Sequence, residues 1–286
     1  MIADGAAREE LGMPPVIDMH LHMTVYEEMR PWVQDYGDSN SNEDFTTFLQ
    51  KYSKPEDYEE LLEESGVDYG VVLADVSPIT TGIASAEQVA SFCHGSQKLI
   101  PFATVNPYLV TQPARAVERF LTELACKGLK LYPTYQHYYP NDPMMYPVYA
   151  KAEALKVPVM FHTGSSVFRG AKAKYGDPIF FDDLAVDFPD LRIIMAHSGR
   201  GCWYDRAFFL ARLHQNVFME ISGLPPQRLL SYFPEFERNA DKILYGSDWP
   251  GMPNIKRNIE LIRSLPVSLK SKEKILGGNA AGMLGL

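Results

Sequence analysis

The chain's first apolar run reads Val16-Ile-Asp-Met-His-Leu-His22 and ends in two histidines that lie two residues apart. Side chains alternate between the two faces of a β-strand, so His20 and His22 point the same way. Met19 and Leu21 then point to the opposite face, where they can pack in apolar surroundings. Two imidazoles on one face of a strand can bind one metal ion. This run therefore predicts a buried strand that carries metal ligands at its C-terminal end.

Seven further apolar runs follow, and stretches with helical character separate them. The runs span residues 69–75, 99–105, 128–132, 157–162, 191–197, 217–221 and 242–248. Helices are predicted over residues 43–65, 85–95, 112–126, 143–155, 180–188, 205–213, 226–236, 255–265 and 271–284. Buried strands that alternate with helices are typical of a parallel sheet covered on both faces. Eight such units predict a closed (β/α)8 barrel of the TIM type, and no Gly-x-Gly-x-x-Gly sequence follows the first strand to suggest an open nucleotide-binding sheet.

The length of the chain suits this fold as one unit, since 286 residues is near the size of a single α/β barrel. We predict one domain over residues 1–286, with residues 1–13 as an N-terminal extension. Residues 24–42 are rich in aromatic, acidic and polar side chains and are predicted to be a long loop. Loops of this length often act as lids, so we expect substrate contacts from this segment.

The composition is that of a folded, soluble protein, with 46% hydrophobic and 22% charged residues. A net charge of −9 and the absence of a basic cluster argue against nucleic-acid binding. We see no signal-peptide core and no run of about 18 apolar residues, so neither export nor membrane spanning is expected. The three cysteines are widely spaced and odd in number, which fits reduced thiols and a cytoplasmic location. Apolar helices near the C-terminus could support a homodimer.

Polar residues gather at the C-terminal ends of the predicted strands, where a barrel of this type carries its active site. Four of the seven histidines are among them, and the full set is His20, His22, Lys130, His162, His197 and Asp248. Three imidazoles and one carboxylate suit a divalent metal, most readily Zn²⁺, with Mn²⁺, Fe²⁺ or Co²⁺ as substitutes. Such a metal can bring the pKa of a bound water towards neutrality.

Asp248 and His197 are the candidates for proton transfer at this site. Asp248 can contact the metal and take a proton from the bound water. His197 can hydrogen-bond a substrate oxygen or serve as acid or base, and the alternative is a structural histidine at a helix start. Glu220 lies inside a predicted strand and is expected to be structural or to support a ligand. Asp18 shares the strand face of His20 and is expected to support it or a neighbouring strand.

Five short sequences, together with the C-terminal stretch from Lys274 to Leu286, resemble the amidohydrolase superfamily. They are His20-x-His22, Gly128-Leu-Lys-Leu-Tyr-Pro133, Phe161-His-Thr-Gly164, Ala196-His-Ser-Gly199 and Tyr245-Gly-Ser-Asp-Trp-Pro250. The chain is most similar to the amidohydrolase-related branch that includes aminocarboxymuconate-semialdehyde decarboxylase. This resemblance implies a (β/α)8 barrel, a divalent metal at its mouth, and hydrolysis or non-oxidative decarboxylation. It also implies that the metal ligands are His20, His22, His162 and Asp248, with His197 in catalysis.

Lys130 leaves the number of metal ions open. In the two-metal members of the superfamily that the chain resembles, a carbamylated lysine on the fourth strand bridges the two ions, and the resemblance places Lys130 at that position. His162 and His197 would then hold the second ion. In the decarboxylase-like branch one metal is usual, and Lys130 is then a cation near the substrate or part of the barrel packing. An unmodified ammonium group repels a metal at close range, so we expect one ion.

Four residues are weaker candidates for substrate binding. Arg169 and Arg200 follow predicted strands and can clamp a carboxylate through two hydrogen bonds, although a surface ion pair is equally consistent with the sequence. Trp32 and Tyr132 lie near the predicted mouth and can form an aromatic wall for a flat substrate. Residues of this kind are more often loop packing.

From the sequence we favour a metal-dependent hydrolase that acts on a small amide, ester or lactone. The alternative is a metal-dependent decarboxylase of an aromatic or unsaturated carboxylic acid, which would use the same site but release CO2. A barrel that keeps its metal without catalysis is a third hypothesis, and the intact ligand set argues against it. Under the first two hypotheses the partner is a small molecule.

Overall fold

The computed structural model describes residues 13–40 and 44–286, so residues 1–12 of the predicted extension lie outside it. In chain order the strands of the described ranges are β1 (Ile17–His22), β2 (Tyr69–Leu73), β3 (Asp75–Ser77), β4 (Gly82–Ala84), β5 (Leu99–Ala103), β6 (Gly128–Leu131), β7 (Val159–His162), β8 (Ile193–Ala196), β9 (Val217–Glu220) and β10 (Ile243–Leu244). Strands β3 and β4 pair with each other as an antiparallel hairpin. The other eight form one parallel sheet in the order β1-β2-β5-β6-β7-β8-β9-β10.

Backbone contacts between β1 and the segment after β10 bring the two edges of this sheet together. The His22 amide donates a hydrogen bond to the Trp249 carbonyl at 2.8 Å, and the Asp248 amide donates to the His20 carbonyl at 3.0 Å. These bonds nearly close the sheet and confirm the predicted (β/α)8 barrel. They also place Asp248 beside the two histidines of β1.

Helices connect the strands and form the outer layer of the barrel. They are α1 (Pro31–Asn40), α2 (Phe45–Lys51), α3 (Pro55–Ser65), α4 (Ala86–Cys93), α5 (Pro113–Thr122), α6 (Pro133–Gln136), α7 (Tyr146–Ala154), α8 (Phe181–Asp187), α9 (Tyr204–Leu213), α10 (Leu229–Tyr232), α11 (Ile255–Ser264), α12 (Leu269–Glu273) and α13 (Asn279–Leu284). A π-helical turn, Lys274–Gly278, joins the last two. None of the helices in the described ranges is long and apolar enough to cross a membrane.

The segment predicted as a loop over residues 24–42 contains a helix, and the prediction is wrong for α1. Pro31 occupies the first turn, where its missing amide costs nothing, but glycine and several polar residues weaken the helical pattern. Tertiary packing explains the helix, because Gly37 lies directly against the ring of Phe45 from α2. A side chain at residue 37 would place its Cβ 2.3 Å from that ring.

The hairpin of β3 and β4 is a second feature that the strand pattern did not predict. The run over residues 69–75 was expected to be one strand, but β2 ends at Leu73 and Asp75 begins β3. The hydroxyl of Thr81, in the turn before β4, donates a hydrogen bond to Asp75 Oδ2 at 2.6 Å and so ties the turn to the start of β3. This excursion places Asp75 beside the mouth of the barrel.

The apolar core forms two clusters because successive strand residues face opposite sides of the sheet. On β7, Met160 packs in the inner cluster, whereas Phe161 packs in the larger cluster between the strands and the helices. The next residue on the inner face is His162. Met19 and Leu21 are both fully buried but pack in different clusters, and the register of β1 is irregular between Asp18 and Leu21.

Candidate metal centre

Three of the predicted metal ligands meet at the edge where β1 adjoins the segment after β10. His20 Nε2 lies 3.2 Å from His22 Nε2, and Asp248 Oδ1 lies 3.4 Å from each of these nitrogens. Within the described ranges this trio is one of two groups whose ligand atoms are close enough to share an ion. The other group joins His20 to His197 and Glu220.

The spacing of the trio fits a divalent ion. A tetrahedral ion with bonds of about 2.1 Å holds neighbouring ligand atoms about 3.4 Å apart. His20 Nε2 and His22 Nε2 face each other at close to that separation. A cation shared with the Asp248 carboxylate would satisfy both nitrogens at once, so the residues present fit the metal that the sequence predicts.

The remaining polar residues at the strand ends line the same cavity. The His197 ring lies 5.0 Å from the ring of His20 and 4.7 Å from that of His162, measured between centroids. His162 Nε2 and Lys130 Nζ are buried and have no hydrogen-bond partner. Unpartnered buried groups destabilise a fold unless a ligand satisfies them, so both atoms indicate that something binds here. The assignment of His162 as a ligand stays a prediction.

A single hydroxyl group orients two of the histidines. Ser222 Oγ donates a hydrogen bond to Glu220 Oε2 at 2.8 Å and lies 2.9 Å from His20 Nδ1 and 3.0 Å from His197 Nδ1. A hydroxyl has one proton to donate and two lone pairs, so it can accept from both imidazoles. We assign the protons of His20 and His197 to Nδ1 on this basis. Each ring then presents an unprotonated Nε2.

Glu220 and a glycine complete the support of His20. Glu220 Oε2 lies 3.3 Å from His20 Nδ1 and also accepts a hydrogen bond from the His197 amide at 3.2 Å. Gly246 leaves room for this carboxylate, because a Cβ there would lie 2.0 Å from Glu220 Oε1. Histidine ligands commonly gain orientation and basicity from a carboxylate of this kind. The structural or supporting role predicted for Glu220 is consistent with this position.

The backbone leaves ordinary strand geometry at the two residues predicted to move protons. His197 has φ 61° and Asp248 has φ 69°, in the left-handed region that non-glycine residues seldom occupy. Gly223 lies opposite, where a Cβ would be 2.6 Å from Arg200 Nη1 and 3.1 Å from Asp248 Oδ2. The absent side chain leaves room for the guanidinium group beside the carboxylate. Strained residues of this kind concentrate at functional sites.

The electrostatics suit a site that binds a cation. Burial lowers the pKa values of His20, His162 and His197, which favours the neutral form that acts as a ligand. Burial alone would raise the pKa of Asp248, but the neighbouring His20 and His22 hold it below its usual range. Asp248 is therefore an ionised carboxylate near pH 7.

Lys130 and Glu220 form a buried charge pair that acts at longer range. Burial lowers the pKa of Lys130 to about 8 and raises that of Glu220 to about 7, while attraction between the two opposes both shifts. Lys130 Nζ nevertheless has no hydrogen-bond partner. Its ammonium group is available to an anionic ligand.

The cavity above the trio is small and mostly apolar, and seven aromatic rings contribute to its lining. It has a volume of ≈ 130 Å³ and its aromatic lining consists of Tyr26, Tyr36, Phe45, Phe48, Tyr132, Tyr135 and Phe168. Helices α1 and α2 cover one side, and the Tyr36 ring meets the Phe168 ring edge-on at 5.5 Å. The segment expected to contact substrate therefore does line the cavity, through the residues before α1 as well as through the helix.

The four weaker substrate candidates fall into two groups. Arg200 lines the cavity with Nη1 3.7 Å from Asp248 Oδ2, and Tyr132 lines it with its ring while its hydroxyl donates to the Ala74 carbonyl at 2.9 Å. Trp32 and Arg169 do not line the cavity. The Trp32 indole instead donates to the Thr80 carbonyl at 2.7 Å, and Arg169 is exposed on the surface.

Nearly the whole chain matches a known protein family. The amidohydrolase family model matches residues 17–286. The chain belongs to the amidohydrolase family. This membership confirms the resemblance that the strand-end motifs predicted. No curated protein sequence matches the chain.

Solved structures share the amidohydrolase barrel at low sequence identity. An uncharacterised TIM-barrel protein from Bordetella bronchiseptica is 24% identical with a TM-score of 0.74, over 94% of this chain and 98% of that chain. A dihydroxybenzoic acid decarboxylase from Polaromonas sp. JS666, with bound manganese and 2-nitroresorcinol, is 18% identical with a TM-score of 0.69, over 96% and 98%. A 5-carboxyvanillate decarboxylase from Novosphingobium aromaticivorans, with bound manganese and a nitrobenzoic acid, is 15% identical with a TM-score of 0.72, over 100% and 99%. The TM-scores establish the shared fold.

Sequence reasoning missed two polar residues of this amidohydrolase site. Ser222 lies two residues after the end of β9 and contacts His20 and His197, and Asp75 starts the unexpected hairpin and lines the cavity. The signal for Ser222 was present, since it lies two residues after Glu220 at the end of a barrel strand. Asp75 ended a predicted strand in the same way.

Proposed function

We propose that this protein is a metal-dependent decarboxylase that removes CO2 from an aromatic carboxylic acid without oxidation. One observation carries the proposal: a cavity of aromatic-ring size opens directly onto the cluster of candidate metal ligands, which two cationic side chains flank. The decarboxylases among the solved neighbours support the same choice. The hydrolase favoured from the sequence gives way to its alternative on these grounds.

The size and lining of the cavity support an aromatic substrate. Its volume of ≈ 130 Å³ is close to the roughly 150 Å³ of an apolar protein cavity that accepts one benzene molecule. The stacked rings of Tyr132 and Tyr135, 5.5 Å apart, offer a wall of the right shape for a flat ring. An aliphatic amide or ester would leave much of this wall without contact.

Two cationic side chains can receive the carboxylate. Arg200 is 22% exposed in its side chain and lines the cavity beside Asp248. Lys130 is fully buried, and its Nζ is without a hydrogen-bond partner. A planar guanidinium can bind a carboxylate through two hydrogen bonds, and the ammonium adds a point charge. We assign initial binding of the carboxylate to Arg200.

The proposed metal is one divalent ion held by His20, His22 and Asp248, with His162 as a further ligand. When bound, the ion would polarise and orient a substrate oxygen. Nitrogen and carboxylate donors without a thiolate suit both Zn²⁺ and Mn²⁺, and two neighbours contain manganese. We therefore propose Mn²⁺ beside the Zn²⁺ that the sequence favoured.

Proton movement is assigned to Asp248 and His197. In the reaction the bond between the ring and the carboxylate breaks, its electron pair stays on the ring carbon, and a proton replaces the CO2 that leaves. Asp248 Oδ2 lies 3.9 Å from His197 Nδ1 and its side chain is 21% exposed, so the ionised carboxylate can accept a proton from solvent transiently and pass it on at once into the cavity. His197 stays neutral and can hydrogen-bond the reacting group.

The test is product analysis with protein reconstituted with Mn²⁺ or with Zn²⁺. Incubation with 2,6-dihydroxybenzoate or 5-carboxyvanillate should release one CO2 for each acid consumed. Asp248→Asn should reduce turnover by about 10²- to 10⁴-fold, the range for loss of a general acid or base. Asp190→Asn, an exposed aspartate outside the cavity, should retain full activity. Hydrolysis of aryl amides or lactones without CO2 release from any aromatic acid would overturn the proposal.

A further inference from the structure

His22 has a hydrogen-bond partner of its own in the lining of the cavity. Its Nδ1 lies 3.4 Å from the hydroxyl oxygen of Tyr26, and the described ranges give this nitrogen no other hydrogen-bond partner. Its Nε2 faces His20 and Asp248, where the ion is proposed to bind. An imidazole that binds a metal through Nε2 carries its proton on Nδ1, so His22 can donate a hydrogen bond to the phenol oxygen.

The phenol of Tyr26 suits the role of acceptor. The Tyr26 side chain is partly buried, lines the cavity and packs against the core. Burial raises the pKa of Tyr26 well above its usual value, so the group remains a neutral phenol. A phenol oxygen accepts a hydrogen bond through its lone pairs and keeps its own proton. The contact with His22 is longer than most N–H···O hydrogen bonds, so a moderate contribution is expected.

The chain next to Tyr26 is fastened to the hairpin of β3 and β4. Glu27 and Ile83 exchange two backbone hydrogen bonds, at 2.7 and 2.8 Å. Gly82 permits the close approach, because it has φ 144° and a Cβ there would lie 3.0 Å from the Glu27 carbonyl oxygen. The same Cβ would lie 3.2 Å from Tyr26 Cδ1. The hairpin therefore fixes the backbone from which the Tyr26 side chain reaches His22.

We propose that Tyr26 is a positioning residue of the metal centre: its phenol oxygen accepts a hydrogen bond from His22 Nδ1 and so keeps His22 Nε2 directed at the ion. The inference rests on the metal centre of the proposed function and not on the reaction. The competing explanation is packing, in which the Tyr26 ring only fills the wall of the cavity. Tyr26→Phe distinguishes the two roles, since it keeps the ring and removes the oxygen.

The affinity of the metal-free protein for Zn²⁺, measured by competition with a chelating dye, is the first test. Tyr26→Phe should bind Zn²⁺ about tenfold more weakly, at the lower end of the effect expected when a histidine ligand loses an outer partner. Tyr58→Phe is the matched control, because the fully buried Tyr58 donates its hydroxyl to the His22 backbone carbonyl at 2.9 Å rather than to the imidazole. The control should keep the affinity of the wild type.

Nitrogen NMR of the Zn²⁺-loaded protein with isotope-labelled histidine gives a second readout, which a packing role would not change. In the wild type His22 should carry its proton on Nδ1, and this proton should exchange slowly with water because the phenol oxygen accepts it. In Tyr26→Phe the proton should exchange faster. In Tyr58→Phe its exchange should match that of the wild type.

The inference is overturned if Tyr26→Phe retains either the Zn²⁺ affinity or the slow proton exchange of the wild type, or if Tyr58→Phe loses as much affinity as Tyr26→Phe. Zn²⁺ binding that survives unchanged in His22→Ala would contradict the metal centre and the inference together. Release of CO2 is measured separately. A Zn²⁺ affinity that depends on the Tyr26 hydroxyl, without CO2 release from any aromatic acid, supports the inference and contradicts the decarboxylase alone.

Discussion

Replacement of Ser222 by alanine should weaken metal binding although Ser222 is not itself a metal ligand. Its hydroxyl contacts His20 Nδ1, His197 Nδ1 and Glu220 Oε2, all within 3.0 Å. The substitution removes one acceptor from both rings. It leaves His20 with the longer 3.3 Å contact to Glu220, whereas His197 Nδ1 keeps its 3.0 Å contact to the Ser222 backbone carbonyl. The His20 ring would then sample other orientations and tautomers, in which its Nε2 no longer faces the site.

The expected loss follows from the number of contacts removed. Loss of an outer partner of a histidine ligand typically reduces metal affinity by about 10- to 100-fold. One histidine of the trio depends on Ser222 directly, and Glu220 still contacts it, so we expect a value near the lower end of that range. The free energy of unfolding should fall by only about 1 kcal/mol, because Glu220 Oε2 keeps its bond from the His197 amide.

Competition with a chelating dye measures the affinity of the metal-free protein for Zn²⁺ and Mn²⁺. Ser198→Ala is the matched control, because Ser198 is also fully buried and its hydroxyl donates to the Glu220 backbone carbonyl at 2.9 Å without touching an imidazole. Both variants should lose similar stability, but only Ser222→Ala should lose metal affinity. Wild-type affinity in Ser222→Ala, or an equal loss in Ser198→Ala, would refute the orienting role.

Other predictions concern metal content, substrate binding and the thiols. Elemental analysis should find one metal ion per chain, and Lys130→Met should leave that number unchanged; two ions that fall to one in the variant would instead show a carbamylated lysine. Arg200→Ala should raise KM for the acid about tenfold or more with a smaller change in kcat, whereas a fall in kcat alone would place Arg200 in proton transfer. A disulfide reagent should modify the exposed Cys202 in the native protein and reach Cys93 and Cys126 only after unfolding. Burial raises the pKa of Cys126 to about 12, so reaction of all three native thiols at pH 8 would contradict this burial.

The sequence predicted the barrel well because its strands are continuous apolar runs. Such runs must be buried on both faces, which favours a parallel sheet covered by helices. Strand ends were less accurate where the chain turns polar. The eighth strand was predicted over residues 242–248, but β10 has only Ile243 and Leu244. Backbone hydrogen bonds to β1 hold the following segment and position Asp248. Helix α1 was missed because glycine and polar residues weaken its helical pattern, whereas its contact with the Phe45 ring cannot be read from the local sequence.

The site was predictable where a role depends on residue type at a strand end, and unpredictable where it depends on the path of a loop. His20, His22 and Asp248 were identified and do converge. Trp32 and Arg169 were assigned to the mouth by position along the chain, yet hairpin β3–β4 takes up the Trp32 indole and Arg169 faces solvent. The local sequence around Trp32 or Arg169 does not indicate that either side chain lies outside the cavity.

The support of the ligands shows why residue type alone was not enough. His20 and Ser222 are 202 positions apart and meet only because the barrel brings its first strand and the end of its seventh to one rim. His197 and Asp248 reach that rim through left-handed backbone angles, which cost about 1–3 kcal/mol each. Proteins keep such strain where the surrounding contacts over-determine it, and these residues are fixed by Glu220, Ser222 and the backbone of β1. The contacts that keep His197 and Asp248 in these backbone angles also orient their side chains. A substitution that lets either backbone relax should therefore also change the direction in which that side chain points.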